Sequence, residues 1–247
     1  MDQIFMLEQQ SNRPNAVANI KKDLIKIKES FEQISTTLDA QTRKQLDKSL
    51  FKLRSKFKST KDLEEAIYQV KQETIEAFMI DTAPPLSPNF KLASAQYKEY
   101  CSACHGSTGN GHGILSERLP TKPEDFTSQL FSHKNSPLRT LNKLLVGSKK
   151  AGMPIFEHQL TNQELWSMSF YIQSLAHKTG KVHDEIEPIL IKNGLNYSML
   201  ARLNDDELWS WIVKNLNEFD TSTKEAKKNI IASIRNSYSF SKKVHRR

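Results

Sequence analysis

The chain has 247 residues, 37% hydrophobic and 26% charged, with a formal net charge of +8. This length allows one to three domains with a sizeable buried core, and only 8 Gly and 9 Pro fit a soluble helical protein. No apolar run approaches the roughly 18 residues of a bilayer-spanning helix, and no nucleic-acid-binding module is recognisable. The positive charge suits an acidic partner, a membrane surface or simple solubility.

Residues 1–13 read as a polar lead-in without the basic and apolar regions of an export signal. From Pro14 onward, Val17, Ile20, Leu24, Ile27, Phe31 and Ile34 recur in alternating steps of 3 and 4, which is one helical stripe with a heptad period. Leu46, Leu50, Leu53 and Phe57 repeat it. Leu63, Ile67, Val70 and Phe78 form a third stripe, broken by Thr74. Residues 1–82 are therefore expected to form a helical hairpin or three-helix bundle, with capping turns near residues 35–39 and 59–60. Glu29 and Glu32 could bind iron, although a solvated helix face is the simpler reading. Residues 83–90 form a proline-rich linker: Pro84, Pro85 and Pro88 cannot continue a helix and favour an extended run.

The next segment, 91–178, carries the chemistry. Both cysteines of the chain stand in Cys101-Ser102-Ala103-Cys104-His105. This C-x-x-C-H spacing is the attachment signature of a c-type haem: the thiols add to the vinyl groups as thioethers, and the adjacent imidazole becomes the proximal iron ligand. A disulfide needs no histidine, and a thioredoxin-like pair needs a βαβ context that is missing from the neighbouring sequence. The sixth iron position has Met153 as its candidate ligand, because Gly152 and Pro154 place it in an irregular loop and a soft thioether suits haem iron. His112 and His158 are competing ligands, and a core methionine is the simpler alternative. Gly106, Gly109, Gly111 and Gly113 make the stretch after His105 loop-like. Residues 124–132 and 137–145 are expected to be short helices, and Thr161-x-x-Glu164 is a capping box that opens the segment's last helix. Trp166, Phe170 and Tyr171 read as packing residues.

Residues 179–247 are expected to be a further helical segment with a basic tail. Asn204-x-x-Glu207 is a second capping pattern ahead of Leu208, Trp209, Ile212 and Leu216, and Thr221 or Ser222 starts a helix with Ile230, Ile231 and Ile234. His183, Asp184, Glu185 and Glu187 read as a solvated helix start, with a metal site as the alternative. The tail from Ser241 to Arg247 reads as a disordered basic terminus, with contact to anionic lipid or nucleic acid as the alternative.

Tyr97-x-x-Tyr100 ahead of the C-x-x-C-H-Gly run, Gly152-Met153-Pro154-x-Phe156, and Leu160 to Trp166 followed by Tyr171-Ile172-x-Ser174-Leu175 together resemble a class I cytochrome c domain over roughly residues 88–178. The resemblance implies an all-α fold around one low-spin haem with His105 and Met153 as axial ligands. It also implies an N-terminal helix near residues 93–101 packed on a C-terminal helix near 162–176. Ala93 stands where the family often has glycine at the helix crossing, and Pro120 is the candidate carbonyl for the proximal imidazole N–H. The three-part layout further resembles the periplasmic extension of high-affinity ferrous-iron permeases, through Ala83-Pro84-Pro85-x-x-Pro88, Glu124-Asp125-Phe126-Thr127 and the run from Leu200 to Leu208.

The reading is a c-type cytochrome that moves single electrons in the periplasm, with both axial positions filled; the permease resemblance implies coupling to ferrous iron oxidation and uptake. Its expected partners are a redox protein, possible ferrous iron, and an iron permease membrane domain through which it reaches the membrane. Lys143, Lys149 and Lys150 steer an acidic partner. Because haem c is attached on the exported side of the membrane, an export signal or anchor is expected outside this sequence. The alternatives are a peroxidase-like haem enzyme or a haem-based sensor with an open or labile sixth site.

Overall fold

The computed structural model describes residues 39–52, 82–177, 186–216 and 221–237, with single positions between 62 and 75. The first stripe, the Glu29 and Glu32 pair, the side chains of the 183–187 acidic cluster and the basic tail lie outside them. The chain divides into two compact units, Met1–Asp81 and Thr82–Arg247. Every regular element among the described residues is helical.

In the first unit, helix α1 (Ala40–Lys52) begins where the Asp39 carboxylate accepts from the backbone N–H groups of Gln41 and Thr42. Leu46 and Leu50 are buried, as their spacing requires, and Phe51 faces water. Val70 is buried, and the Thr74 hydroxyl donates to its carbonyl at 2.7 Å, so the break in the third stripe is satisfied locally.

The second unit opens with the proline-rich segment, which is fastened down. Gln163 reaches it with both ends of its amide: Oε1 accepts from Leu86 N at 2.9 Å, and Nε2 donates to the Leu86 and Ser87 carbonyls at 3.2 Å. Helix α2 (Phe90–Tyr100) is capped by Asn89, and α3 (Ser102–His105) is a single turn continuing from it. After an irregular stretch come α4 (Gln129–Lys134), α5 (Pro137–Val146) and α6 (Asn162–Ser174), the last opened by the expected Thr161–Glu164 capping box. The helix expected over 124–132 is shorter and later. Asp125 accepts from both Thr127 N and Oγ1, a local turn that competes with helix, and Ser128 then caps α4.

Helices α2 and α6 cross with Ala93 completely buried and the Tyr97 and Tyr171 rings 5.7 Å apart. Nine of the 13 residues of α6 are buried, too many for a helix with one solvent face. The C-terminal helices account for the excess. These are α7 (Ile186–Lys192), α8 (Tyr197–Arg202), α9 (Asp205–Asn215) and α10 (Lys224–Asn236). Helix α8 packs on α5, α9 on α4, and α10 on α6 and the 3-10 turn Leu175–His177 that follows it. The cap of α10 is Thr223, whose hydroxyl accepts from Ala226 N, one residue beyond the expected Ser222. Helices α8–α10 thus share a core with α4–α6.

Candidate haem site

Helix α2 delivers the two cysteines. The turn of α3 is closed by His105 N donating to the Cys101 carbonyl at 2.9 Å and Gly106 N to Ser102 at 2.8 Å, so both sulfurs and the imidazole share one helical turn. Cys101 is buried, Cys104 half-buried, and both are free thiols. Burial, reinforced by charge on Cys104, pushes the Cys101 thiol up to about 12. A dithiol of that kind is unsuited to exchange chemistry, which runs through thiolates.

The chain after His105 folds back over this turn. Gly111 N donates to His105 O at 2.8 Å, Gly113 N to Cys104 O at 3.1 Å, and Leu115 N to Ala103 O at 2.8 Å. At Gly113 a Cβ would collide with the Ala103 backbone. This approach, rather than an unusual backbone angle, demands glycine there. The buried Tyr97 hydroxyl donates to the Gly106 carbonyl at 3.0 Å and ties the loop to α2.

The imidazole of His105 is held by two contacts. Its Nδ1 lies 3.1 Å from the Glu124 carbonyl, and its ring stacks on Phe126 with centroids 4.3 Å apart. Pro120, the expected acceptor, is displaced from that role. Its ring instead lies beside Gly152, at the Met153 hairpin. The reason is the route of the chain: Phe126 N donates to Gly109 O at 2.7 Å, which draws residues 124–126 in against the histidine. Burial favours the neutral form of His105 against the opposing effect of the Glu124 carbonyl. An imidazole with Nδ1–H engaged and Nε2 available is the tautomer a metal ligand needs.

Met153 sits in a tight hairpin. Met153 N donates to Ser148 O at 3.0 Å, and Ser148 N donates back to Met153 O at 2.9 Å. Gly152 makes the return in a left-handed conformation (φ 75°), and a Cβ there would lie 3.2 Å from Leu119. Phe156 N donates to Leu144 O, hanging the hairpin from the end of α5. Met153 is half-buried, whereas the competing ligands His112 and His158 are exposed. Met168 is fully enclosed in α6. Ile114, Leu115 and Ile155, which adjoin these two segments in sequence, are exposed apolar side chains, of the kind a flat apolar cofactor would cover. The paired free thiols, the engaged imidazole and the glycine-lined loop fit a covalently attached haem.

Sequence reading missed three contributors. The Glu124 acceptor is a backbone carbonyl and leaves no side-chain signal. The Tyr97 hydroxyl and the Phe126 ring belong to motifs already noted, but only the fold aims them.

Residues 90–176 match the family model for cytochrome c. The chain is also similar to a solved structure from Kuenenia stuttgartiensis, a reducing HAO-like protein complex, at 28% identity over 45% of this chain and 60% of that chain, with a TM-score of 0.35. The match therefore spans less than two thirds of that chain, and at this TM-score it carries no structural argument. No curated protein matches.

Proposed function

We propose that this all-α chain, whose residues 90–176 form a cytochrome c domain, transfers single electrons through one haem c held by Cys101, Cys104, His105 and Met153. The observation that carries the reading is the His105 Nδ1 contact to the Glu124 carbonyl. It fixes ring orientation and tautomer on the turn that bears both thiols. When bound, the haem supplies a one-electron ferric/ferrous couple. Cys101 and Cys104 anchor it through thioethers. His105 would hold the iron through Nε2 and Met153 through its thioether. Exposed Lys149 and Lys150 adjoin Met153 in that hairpin; their charge steers an acidic redox partner toward it.

Attachment of haem c on the exported side supports a periplasmic location. No helix among the described residues is long and apolar enough to cross a membrane. Coupling to ferrous iron oxidation beside a permease rests on the sequence layout alone. Its test is haem reduction by ferrous iron in the presence of the permease, and no reduction removes it.

The main experiment is the visible spectrum of protein from a haem-maturing host. The expected result is a pyridine haemochrome with both vinyls saturated and a ferric charge-transfer band at the red end. An absent band, with rapid carbon monoxide binding to the reduced protein, favours the haem enzyme or sensor instead. Met153→His should abolish the band and lower the reduction potential by some tenths of a volt, within the roughly 0.8 V that axial ligands span.

A further inference from the structure

Where the C-terminal helices meet the haem-domain helices, three ionisable side chains are withdrawn from water. Asp205 and Arg235 side chains are each 2% exposed and that of His177 is 9% exposed. Arg235 Nε donates to Asp205 Oδ1 at 3.0 Å, and His177 Nε2 lies 2.7 Å from Asp205 Oδ2. Burying ions costs several kcal/mol each, and apolar residues often fill such a place equally well, so a buried pair says more about fixed geometry than about stability.

What Arg235 fixes is visible in its other contacts. Nη1 donates to the Leu200 carbonyl at 3.2 Å and Nη2 to the Leu203 carbonyl at 2.7 Å. These are carbonyls at the end of α8 that no further helical turn can satisfy. Helix α8 then packs on α5, with Leu200 buried and Tyr197 meeting Phe170 of α6 edge-on at 5.8 Å. Helix α5 in turn carries the Met153 hairpin, through Leu144 O and the Ser148–Met153 pair. Beyond α5, the hairpin meets Tyr100 of α2 through the Phe156 ring, at 6.5 Å between centroids, and Leu119 and Pro120 beside Gly152.

We propose that Arg235 is a positioning residue for Met153, acting through α8 and α5, so that the C-terminal helices set how firmly the methionine is held as a ligand. This rests on the reading of Met153 as axial donor. The guanidinium is suited to the task because its rigid planar fork spreads donors over three nitrogens and engages one carboxylate and two carbonyls at once, whereas an ammonium gathers its three donors on a single atom.

The test uses the full haem-loaded chain. Arg235→Lys keeps a positive charge beside Asp205 but drops the carbonyl contacts. Leu200→Ala removes buried apolar volume from α8, the helix that packs on α5, and leaves the charged cluster intact. Both are expected to speed carbon monoxide association with the reduced protein by roughly three- to thirtyfold, the range of couplings carried through packed elements. Both should weaken the ferric charge-transfer band while leaving the pyridine haemochrome unchanged. Gln163→Ala, which releases the 82–88 segment and touches neither the α8–α5 packing nor the charged cluster, controls for lost stability alone and should leave both readouts where they are. The inference is overturned if Arg235→Lys and Leu200→Ala behave as the unaltered chain, or if Gln163→Ala moves the readouts equally. Absence of the band from the unaltered chain removes the Met153 reading itself, a result distinct from failure of the coupling.

Discussion

The two halves of the candidate site are held by different means. The histidine side is tied by short-range backbone bonds: Gly111, Gly113 and Leu115 each donate into the turn that carries the cysteines, within about ten residues of their acceptors. The methionine side has one closed hairpin and one bond to Leu144. Its further placement comes mainly from α5, which is itself clamped between α6 and α8, with Leu119 and Pro120 beside Gly152 and Tyr100 against Phe156. Local bonding closes the attachment turn itself, and only the imidazole reaches further, to the Glu124 carbonyl and the Phe126 ring. The methionine side inherits its position from packing that reaches as far as residue 235. A change far away in sequence should therefore disturb the methionine and spare the thioethers.

The largest effect tests the attachment side directly. Replacing Cys101 and Cys104 together by serine should eliminate covalent haem, read as loss of the haemochrome after acid–acetone extraction. Next, Asp205→Asn breaks the buried pair and leaves Arg235 uncompensated, which should cost about 3–5 kcal/mol in chemical denaturation. Burial by itself pushes the Asp205 carboxyl up, but Arg235, then His177, outweigh it and hold the group well below its ordinary value of 3.8. A carboxylate depressed in the folded state contributes stability that is complete above its unfolded value and is lost as pH falls below it. The unaltered protein should accordingly lose stability below about pH 4 more steeply than Asp205→Asn, and equal slopes would contradict the assignment.

Gly113→Ala sharpens the comparison from the other side. The added methyl meets the Ala103 backbone, and a destabilisation of about 3 kcal/mol is expected, with the attachment loop opening first in hydrogen exchange. The smallest effect is Tyr97→Phe, which strips one buried hydroxyl from the Gly106 carbonyl. It should cost about 1 kcal/mol with the spectrum unchanged. A larger loss would mean that the histidine side depends on tertiary support as much as the methionine side does.

Much of this was legible in residues close to one another. The C-x-x-C-H run, the capping boxes at Thr161 and Asn204 and the Gly152–Met153–Pro154 punctuation announced the cysteine–histidine turn, two helix starts and an irregular stretch, which the structure closes as a hairpin. Each depends on groups within a few positions of one another, so spacing alone encodes it. The short helix expected over 124–132 failed for the complementary reason. Asp125 and Ser128 make local side-chain bonds that end or start helices, and these outweigh apolar spacing.

Composition and neighbours in the chain were enough for the all-helical class, the single turn that carries Cys101, Cys104 and His105, and an irregular stretch at Met153. Only the tertiary structure decided that Glu124 rather than Pro120 meets His105, and that helices α8–α10 share a core with α4–α6. A backbone carbonyl has the same chemistry whatever residue bears it, so no residue type marks Glu124 as the acceptor. The Asp205–Arg235 pair joins positions 30 residues apart, and which charges end up buried together depends on how whole helices dock.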